Sequence, residues 1–264
     1  MGDRLVLCYH AVSAEWPAEI AVTPDRLEEQ LRLLLRRGYR GATFTEAATA
    51  PANGKLLAVT FDDAFRSVLK HAFPIMSRLA LPGTVFVPTS FAGSETAMAW
   101  PGIDKWARGP YASELVPMSW AELRLLAEAG WEIGSHTRSH PRLPQLGHRR
   151  LAEELEGSKR DCEECLGRVC RSLAYPYGDV DARVAKAAEA VGYVAAGPLL
   201  RGAAVLRGCG VPVRVGWPRV GVYLEDTPSR FRFKVSPTLR RLRTSRIWPG
   251  ARRKRRRVPR AQPR

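Results

Sequence analysis

Residues 56–63, LLAVTFDD, join a short apolar run to two adjacent carboxylates, Asp62 and Asp63. A continuous apolar run of this length is typical of a strand that is buried on both faces, as in a parallel sheet. The two aspartates follow the carboxyl end of this strand, where α/β folds build their sites. Adjacent aspartates alone more often mark a turn or a helix N-cap, so the pair needs support from elsewhere in the chain.

A second polar motif supplies that support. Residues 131–140, WEIGSHTRSH, again place side chains directly after a short strand, and they include His136 and His140. Together with Asp63 these histidines offer two imidazoles and a carboxylate, the ligand types of a catalytic zinc site that keeps a position open for water. Asp62 is then a spare carboxylate, suited to act as general base in metal-assisted hydrolysis. Taken together, the two motifs indicate an enzyme.

Three ordered motifs resemble those of the polysaccharide deacetylase family, also called the NodB-homology or carbohydrate esterase 4 family. They are Thr-Phe-Asp-Asp at 60–63, the two histidines at 136–140, and Ala-Tyr-Pro-Tyr-Gly at 174–178. The resemblance covers residues 4 to 225 approximately. It implies an α/β fold, a distorted and incomplete (β/α) barrel, and an activity that removes acetyl groups from N-acetylated sugars.

The resemblance also implies individual roles. Asp62 corresponds to the general base of the family. The residues Asp63, His136 and His140 correspond to its metal ligands, with Zn²⁺ as the first expectation and Co²⁺, Ni²⁺ or Fe²⁺ as alternatives. The backbone N–H of Tyr177 corresponds to the donor that holds the oxyanion.

The chain departs from the family pattern at the partner of the general base. Many members carry an arginine two residues before the proline of the third motif, and here that position is Ala174. We assign the missing partner role to Arg219, in the segment Pro-Arg-Val-Gly at 218–221, as a hypothesis.

A second departure concerns the general acid, because many members place a catalytic histidine near the C-terminus and this chain has none after His148. The pair Tyr9-His10 instead resembles the N-terminal Tyr-His of a branch that deacetylates exopolysaccharides such as poly-N-acetylglucosamine. In that branch the histidine serves as general acid, a role that His10 inherits. An imidazole with an ordinary pKa near 6.5 can protonate a leaving amine near neutral pH. The open alternative is a core-edge histidine bonded to the backbone.

Strand and helix patterns alternate along the chain, which independently predicts a parallel α/β sheet or barrel. The predicted strands lie near residues 5–9, 56–61, 83–87, 131–134 and 172–175, and the predicted helices near 24–37, 119–130, 151–166 and 181–191. Between them, residues 89–117 are rich in Gly, Pro and aromatic residues without periodicity. We expect this segment on the rim of the site, where its aromatic side chains either stack on sugar rings or only pack the loop.

Basic residues concentrate at the C-terminus. Residues 230–264, the basic tail, hold 15 of the 42 Lys and Arg residues and no Asp or Glu. The other residues hold 27 basic and 26 acidic side chains, so nearly all of the net charge of +16 belongs to the tail. Six consecutive basic residues at 252–257 repel one another and, with the flanking prolines, predict disorder. The sequence therefore predicts a catalytic domain over 1–229 and a basic, disordered tail over 230–264.

Three partners are open for the basic tail. An anionic membrane surface attracts such a segment, and Leu239, Leu242, Ile247 and Trp248 offer apolar contact beside the charges. Nucleic acid is the weaker alternative, because no zinc finger, RNP motif or recognisable helix-turn-helix accompanies the tail. The third alternative is a solvated tail without a dedicated partner.

Cysteine usage and the N-terminus bear on location. The five cysteines do not form the pattern of a disulfide framework, and the Cys162–Cys165 pair falls within a predicted helix. A strand begins by residue 4, which leaves no room for a signal peptide, and no run of 18 apolar residues is present. The sequence thus predicts a cytoplasmic protein, peripheral at the inner membrane face if the tail binds lipid.

Two alternatives to an N-deacetylase stay open from the sequence. An O-acetyl carbohydrate esterase would use the same metal and base on an ester. A catalytically inactive relative that binds glycan at its rim is suggested by the alanine at position 174.

Overall fold

The computed structural model of the chain describes residues 2–51 and 53–243. The strands are β1 (Asp3–Tyr9), β2 (Ala11–Val12), β3 (Ala21–Val22), β4 (Arg40–Ala42), β5 (Lys55–Phe61), β6 (Gly83–Val87), β7 (Glu132–Ser135), β8 (Ser172–Ala174), β9 (Ala195–Gly197) and β10 (Val220–Gly221). The α-helices are α1 (Pro24–Arg36), α2 (Phe44–Thr49), α3 (Phe73–Arg78), α4 (Trp120–Glu128), α5 (His148–Leu166), α6 (Ala182–Ala190), α7 (Leu200–Leu206), α8 (Pro228–Lys234) and α9 (Pro237–Arg243). A π-helical turn over Val68–Ala72 precedes α3, and short 3₁₀ turns lie in the connections.

Eight strands form one curled sheet in the order β10-β1-β5-β6-β7-β8-β9, with β4 paired to β5 off this path. Every pairing in this sheet is parallel. Parallel neighbours need a crossover, and helices supply most of the crossovers here. The prediction of an α/β fold with a distorted, incomplete barrel is therefore confirmed.

Alternate residues of the central strand face opposite layers, as the two-residue period of a strand requires. In β5, Leu57, Val59 and Phe61 join the core between the sheet and its outer helices, while Ala58 packs inside the barrel. The inside is narrow and is filled by small residues together with Phe44 and Phe86, whose rings meet edge to face at 5.4 Å. Burying each such ring contributes about 1.5–3 kcal/mol. Both faces of β5 are thus apolar, which explains its unbroken hydrophobic run.

The segment 217–222 links the two ends of the sheet. Its first half contacts β9, since the N–H of Trp217 donates to the carbonyl of Ala196 and the N–H of Arg219 to that of Pro198. Its second half contains β10, in which Val220 pairs with Leu7 of β1. This segment therefore bridges the gap between the first and last strands of the barrel and holds Arg219 at the junction.

Helices α8 and α9 occupy residues 228–243, most of which the charge pattern assigned to the basic tail. Phe231 of α8, Val235 between the two helices and Leu239 of α9 are buried against the domain. The Arg240 guanidinium donates to the Asp3 carboxylate at 2.6 and 2.7 Å. The expectation of disorder from residue 230 onward does not hold for residues 230–243, because apolar side chains of both helices and of their junction pack against the domain. The rest of the predicted tail, residues 244–264, lies outside the described residues.

Among the described residues, no helix combines the length and the apolar character that a bilayer-spanning segment needs.

Candidate active site

A cleft of 420 Å³ opens at the carboxyl end of the sheet. It collects side chains that follow strands distant from one another in the chain, as the sequence predicts. The predicted site residues in its lining are His10, Asp62, Asp63, His136, His140 and Tyr177. Trp100, Trp106, Arg142 and Tyr223 complete much of its wall.

Asp63, His136 and His140 converge on one point in the cleft. The Nε2 atoms of His136 and His140 each lie 3.4 Å from Oδ1 of Asp63, and all three residues are buried. Two ligand atoms that each lie about 2.1 Å from a zinc ion at the tetrahedral angle are separated by about 3.4 Å. The spacing of these three atoms therefore suits a divalent cation.

The hydrogen bonding of these residues also fits a cation. Nδ1 of His136 lies 2.8 Å from the carbonyl oxygen of Ala174 and donates to it, which leaves Nε2 with its lone pair toward Asp63. Within the part of the chain that the structure describes, Oδ1 of Asp63 has no hydrogen-bond partner although it is buried. Nε2 of His136 and Oδ1 of Asp63 thus face each other as electron-pair donors, and Nε2 of His140 lies beside them. A buried arrangement of this kind is costly unless a cation occupies the centre.

Electrostatics at the two histidines point the same way. Burial works to lower the pKa of His136, but the carboxylates of Asp62 and Asp63 raise that pKa overall. Burial lowers the pKa of His140 to about 3, so this ring is neutral and able to bind metal at neutral pH. The centre attracts positive charge and keeps at least one imidazole lone pair free for it.

Asp62 lies beside the triad and is held by Arg219. NH1 and NH2 of Arg219 donate to the two carboxylate oxygens of Asp62 at 2.6 and 2.9 Å, and both side chains are buried. Burial alone would raise the pKa of Asp62, but the Arg219 guanidinium, followed by His136, holds it well below its usual range. Asp62 is therefore ionised near neutral pH. Arg219 thus contacts the carboxylate of Asp62, which Ala174 cannot do because its side chain carries no hydrogen-bond donor.

Arg219 is itself fixed by surrounding acceptors. Its Nε donates to the carbonyl of Gly197 at 2.9 Å, and its NH1 also donates to Oγ1 of Thr60 at 3.2 Å. The guanidinium lies 5.2 Å from the ring centre of Phe86, close enough for a cation–π contact. These contacts set the plane of the guanidinium and, through it, the plane of the Asp62 carboxylate.

His10 follows β1 and lies half-buried on the same wall as Asp62. Ligand-type atoms of Cys8, His10 and Asp62 all lie within 4.8 Å of one another. Nδ1 of His10 is buried and has no hydrogen-bond partner among residues 2–51 and 53–243. The alternative of a core-edge histidine bonded to the backbone through this atom is therefore not what the structure shows.

Tyr177 lies in the turn Pro176–Gly178, across the cleft from these groups. Its φ of 60° is in the left-handed region, which is uncommon outside glycine. The turn is tied by the N–H groups of Gly178 and Asp179, which donate to the carbonyls of Tyr175 and Pro176. The Arg142 guanidinium stacks 4.0 Å from the Tyr177 ring centre and forms an ion pair with Asp179.

The rim segment contributes two tryptophans of different character. Trp100 is 8% exposed and stacks on the His140 ring at 4.2 Å, so it packs the loop onto a metal-ligand candidate. Trp106 is half-buried and packs edge to face against Trp16 and Tyr111 while still lining the cleft. Of the two alternatives for the rim aromatics, packing of the loop therefore describes Trp100, whereas Trp106 is the better placed to contact a sugar.

Sequence reasoning missed several residues that contact the site. Cys8 donates through Sγ to Oδ2 of Asp62 at 3.4 Å. The sequence could have indicated this residue, because it lies two positions before His10 and side chains two apart along a strand point to the same side. Tyr223 follows β10 and lines the cleft, and no sequence motif marks it as a site residue. Glu154 holds the loop between the two histidines, and its signal was an acidic residue on the apolar stripe of a helix.

Known proteins resemble this chain in sequence and in fold. A family model described as polysaccharide deacetylase matches residues 49–196. The putative polysaccharide deacetylase YxkH of Bacillus subtilis is 22% identical to this chain over 193 residues, which cover 71% of this chain and 61% of YxkH. A poly-beta-1,6-N-acetyl-D-glucosamine N-deacetylase from Staphylococcus aureus is 22% identical, over 60% of this chain and 54% of its own length. The chain thus spans between 54% and 61% of the length of these relatives.

Solved structures share the fold over most of the chain. The Streptococcus pyogenes deacetylase PplD superposes with a TM-score of 0.70 at 18% identity, covering 90% of this chain and all of PplD. The structure of IcaB from Ammonifex degensii superposes with a TM-score of 0.66 at 26% identity, over 93% of this chain and 99% of IcaB. His10 and Arg219 lie outside the residues that the family model matches, one on each side.

Proposed function

Because this chain belongs to the polysaccharide deacetylase family, we propose that it removes acetyl groups from N-acetylated sugars of a glycan. The proposed reaction is hydrolysis of the acetamide C–N bond, which yields a free amine and acetate. Asp63, His136 and His140 would hold the divalent metal, with Zn²⁺ as the first choice from the ligand set.

The proposal rests on one observation, which is that the Asp62 carboxylate lies beside the triad of Asp63, His136 and His140. Three electron-pair donors of a metal site converge within 4.8 Å, and the ionised Asp62 stands next to them in the same cleft. A carboxylate that is held by Arg219 and cannot turn away is suited to accept a proton from an attacking water. This combination is what metal-assisted hydrolysis requires.

A divalent cation bound at the triad would polarise the acetyl carbonyl and make water more acidic. Asp62 accepts the proton as the water oxygen bonds to the carbonyl carbon, and Arg219 keeps both carboxylate oxygens in plane. The C–N bond then breaks, the electron pair stays on nitrogen, and His10 donates a proton to that nitrogen. The proton gained by Asp62 and that lost by His10 then re-equilibrate with solvent.

The Tyr177 N–H is proposed to stabilise the negative charge that develops on the acetyl oxygen. Support comes from its place in the third motif and from the rigid turn that carries it into the cleft wall. A backbone donor fixed before the reaction stabilises the transition state without reorganisation.

The substrate is proposed to be a polysaccharide, an oligosaccharide or a lipid-linked glycan with N-acetylglucosamine-type units. The Tyr9-His10 pair supports the branch that acts on exopolysaccharides, as does similarity to the Staphylococcus aureus poly-beta-1,6-N-acetyl-D-glucosamine N-deacetylase. The cleft is open along the rim and lined by aromatic and charged groups, which suits a sugar chain.

A second partner is proposed from the sequence of residues 244–264, which adds nine basic residues and no acidic one beyond α9. Such a segment is attracted to anionic lipid. Arg240 of α9 contacts Asp3 at the start of β1, whereas His10 follows the end of the same strand. The last described helix therefore lies at the opposite end of β1 from the cleft.

The test is acetate release from N-acetylglucosamine oligomers by purified protein. The protein is assayed after chelation and again after addition of Zn²⁺, Co²⁺ or Ni²⁺, with O-acetylated xylo-oligosaccharides in parallel. Release restored by metal from the N-acetylated substrate supports the proposal. Release from the O-acetylated substrate alone would assign an esterase, and stoichiometric metal binding with no release from either would indicate an inactive glycan-binding relative.

A further inference from the structure

The loop that carries both histidines, residues 135–140, has an unfavourable backbone conformation. Thr137 has a φ of 67° and His140 a φ of 57°, both in the left-handed region. For a β-branched residue such as Thr137 this is a genuine outlier, and such residues persist only where surrounding groups hold them. Something outside the loop must therefore stabilise this conformation.

Glu154 of α5 supplies the main contacts. Its Oε2 accepts from the backbone N–H groups of Arg138 and Ser139, both at 2.9 Å, and its Oε1 accepts from the Ser139 hydroxyl at 2.6 Å. The Glu154 side chain is fully buried, and the guanidinium of Arg150 lies 3.0 Å from Oε1 as its counter-charge. A buried carboxylate with this many donors fixes the two peptide groups between Thr137 and His140.

The same face of α5 also holds the start and the middle of the loop. Ser158, one turn after Glu154, accepts from the Ser135 hydroxyl at 2.7 Å, and that hydroxyl accepts from the Thr137 N–H at 3.0 Å. Asp161, a further turn along α5, accepts from Nε of Arg138 at 3.0 Å. Residues at these intervals lie on one side of a helix, so α5 contacts the loop along its length.

We propose that Glu154 is a positioning residue for the metal site, fixing the backbone from which His136 and His140 reach Asp63. The carboxylate touches neither imidazole, so it acts through the 138–139 peptide groups. This inference rests on the proposed function, because it requires Asp63, His136 and His140 to bind a divalent cation. Partners behind the ligands of metal sites typically change affinity by about 10–100-fold when they are removed.

The test compares Glu154→Gln with Glu153→Gln in the full chain. Glu154→Gln keeps the shape but replaces one acceptor oxygen by an N–H donor, whereas Glu153 is a partly exposed neighbour that forms ion pairs with Arg149 and Arg150. Zn²⁺ affinity is measured by competition with a chromophoric chelator, and the visible absorption of bound Co²⁺ reports ligand geometry. We expect Glu154→Gln to weaken Zn²⁺ binding about 10–100-fold and to alter the Co²⁺ spectrum. Glu153→Gln should match the unsubstituted chain.

A folded Glu154→Gln protein with unchanged Zn²⁺ affinity and Co²⁺ spectrum would overturn the inference and leave the proposed function intact. If the unsubstituted chain binds no divalent metal, the proposed function fails, and the inference fails with it. Should Glu154→Gln not fold, Ser139→Ala replaces it, since this change removes one of the three bonds to Glu154 and keeps the carboxylate. We expect Ser139→Ala to weaken Zn²⁺ binding less than Glu154→Gln would. Unchanged Zn²⁺ affinity of the Ser139→Ala protein would count against the inference.

Discussion

Arg219 and Asp62 form a buried, two-point ion pair across 157 positions of sequence, with N···O distances of 2.6 and 2.9 Å. The carboxylate is thereby ionised and fixed in orientation, the two properties that a general base needs. Many members of the family carry such an arginine at the position of Ala174, which is the last residue of β8 here. Here it arrives from the segment that joins β9 to β1.

Replacing Arg219 by Met should shift the acid limb of the pH–activity profile upward. As the proposed general base, Asp62 would act in its ionised form, and Arg219 lowers its pKa, so in the unsubstituted enzyme Asp62 should not set the acid limit near neutral pH. Without the guanidinium, burial raises that pKa, and activity falls as pH drops through the new value. The measurement is kcat/KM against pH.

The matched control is Arg214→Met, which breaks an exposed ion pair with Glu189. Its profile should not move. Breaking a buried ion pair costs about 3–5 kcal/mol of folding stability, so thermal unfolding of the Arg219→Met protein is checked first. An acid limb at the original pH in folded Arg219→Met would refute the pairing role.

Asp62→Asn should separate catalysis from metal binding. The amide cannot accept the water proton, and we expect kcat to fall by about 10²–10⁴-fold, the usual contribution of a general base. Metal content should persist because the three ligand atoms belong to other residues. Asp63→Asn is the companion variant and should lose both. Elemental analysis and acetate release measure the two properties, and a fully active Asp62→Asn enzyme is incompatible with the assignment.

His10→Gln should impair amide hydrolysis far more than ester hydrolysis. A departing amine must be protonated, whereas an aryl alcohol leaves readily without help, so only the first substrate depends on a general acid. We expect a fall of about 10²–10⁴-fold in kcat on N-acetylated oligomers and a much smaller one on an aryl acetate. The exposed His148→Gln is the control. Equal losses on both substrates would mean that His10 has another role.

Trp106→Ala should raise KM for oligosaccharides with little effect on metal affinity. The indole lines the cleft, and loss of a ring contact of about 0.5–1.5 kcal/mol corresponds to an increase in KM of roughly 2–13-fold. Trp100→Phe, at the buried ring that stacks on His140, should instead affect metal affinity. Identical KM values for Trp106→Ala and the unsubstituted enzyme would show that Trp106 only packs the rim.

Removal of residues 244–264 should abolish sedimentation with anionic vesicles while activity on soluble oligomers persists. Each basic residue near such a surface contributes about 1 kcal/mol at low salt, and the segment contains nine. The truncation spares α9, whose Leu239 and Arg240 contact the domain. Neutral vesicles and high salt are the controls, and unchanged sedimentation of the truncated chain would exclude this segment as the membrane contact.

The sequence was most informative where chemistry follows directly on a strand. Asp62, Asp63, His136 and His140 each come just after an apolar run, so their shared position at one edge of the sheet was predictable. The contact between Arg219 and Asp62 was a hypothesis, because β10 has only two residues and no detectable periodicity. Its pairing with β1 depends on the closure of the whole sheet.

The two C-terminal helices, α8 and α9, were not predicted from the sequence. Charge dominated the composition of residues 230–243, and it concealed three apolar residues that are buried, Phe231, Val235 and Leu239. These residues were visible in the sequence, but only the domain surface that receives them makes the two short helices stable. The same holds for Glu154, whose burial depends on loop N–H groups that sequence patterns do not reveal.

The link between β9 and β1 has a consequence for the order in which the site is made. A ribosome synthesises Asp62 and both histidines of the triad well before residues 217–222, so the nascent domain holds two adjacent carboxylates without the guanidinium that pairs with one of them. Until β10 docks on β1, the sheet lacks its edge strand and Asp62 lacks its counter-charge. The last strand to emerge therefore completes the sheet and pairs one of two adjacent acids with a buried cation.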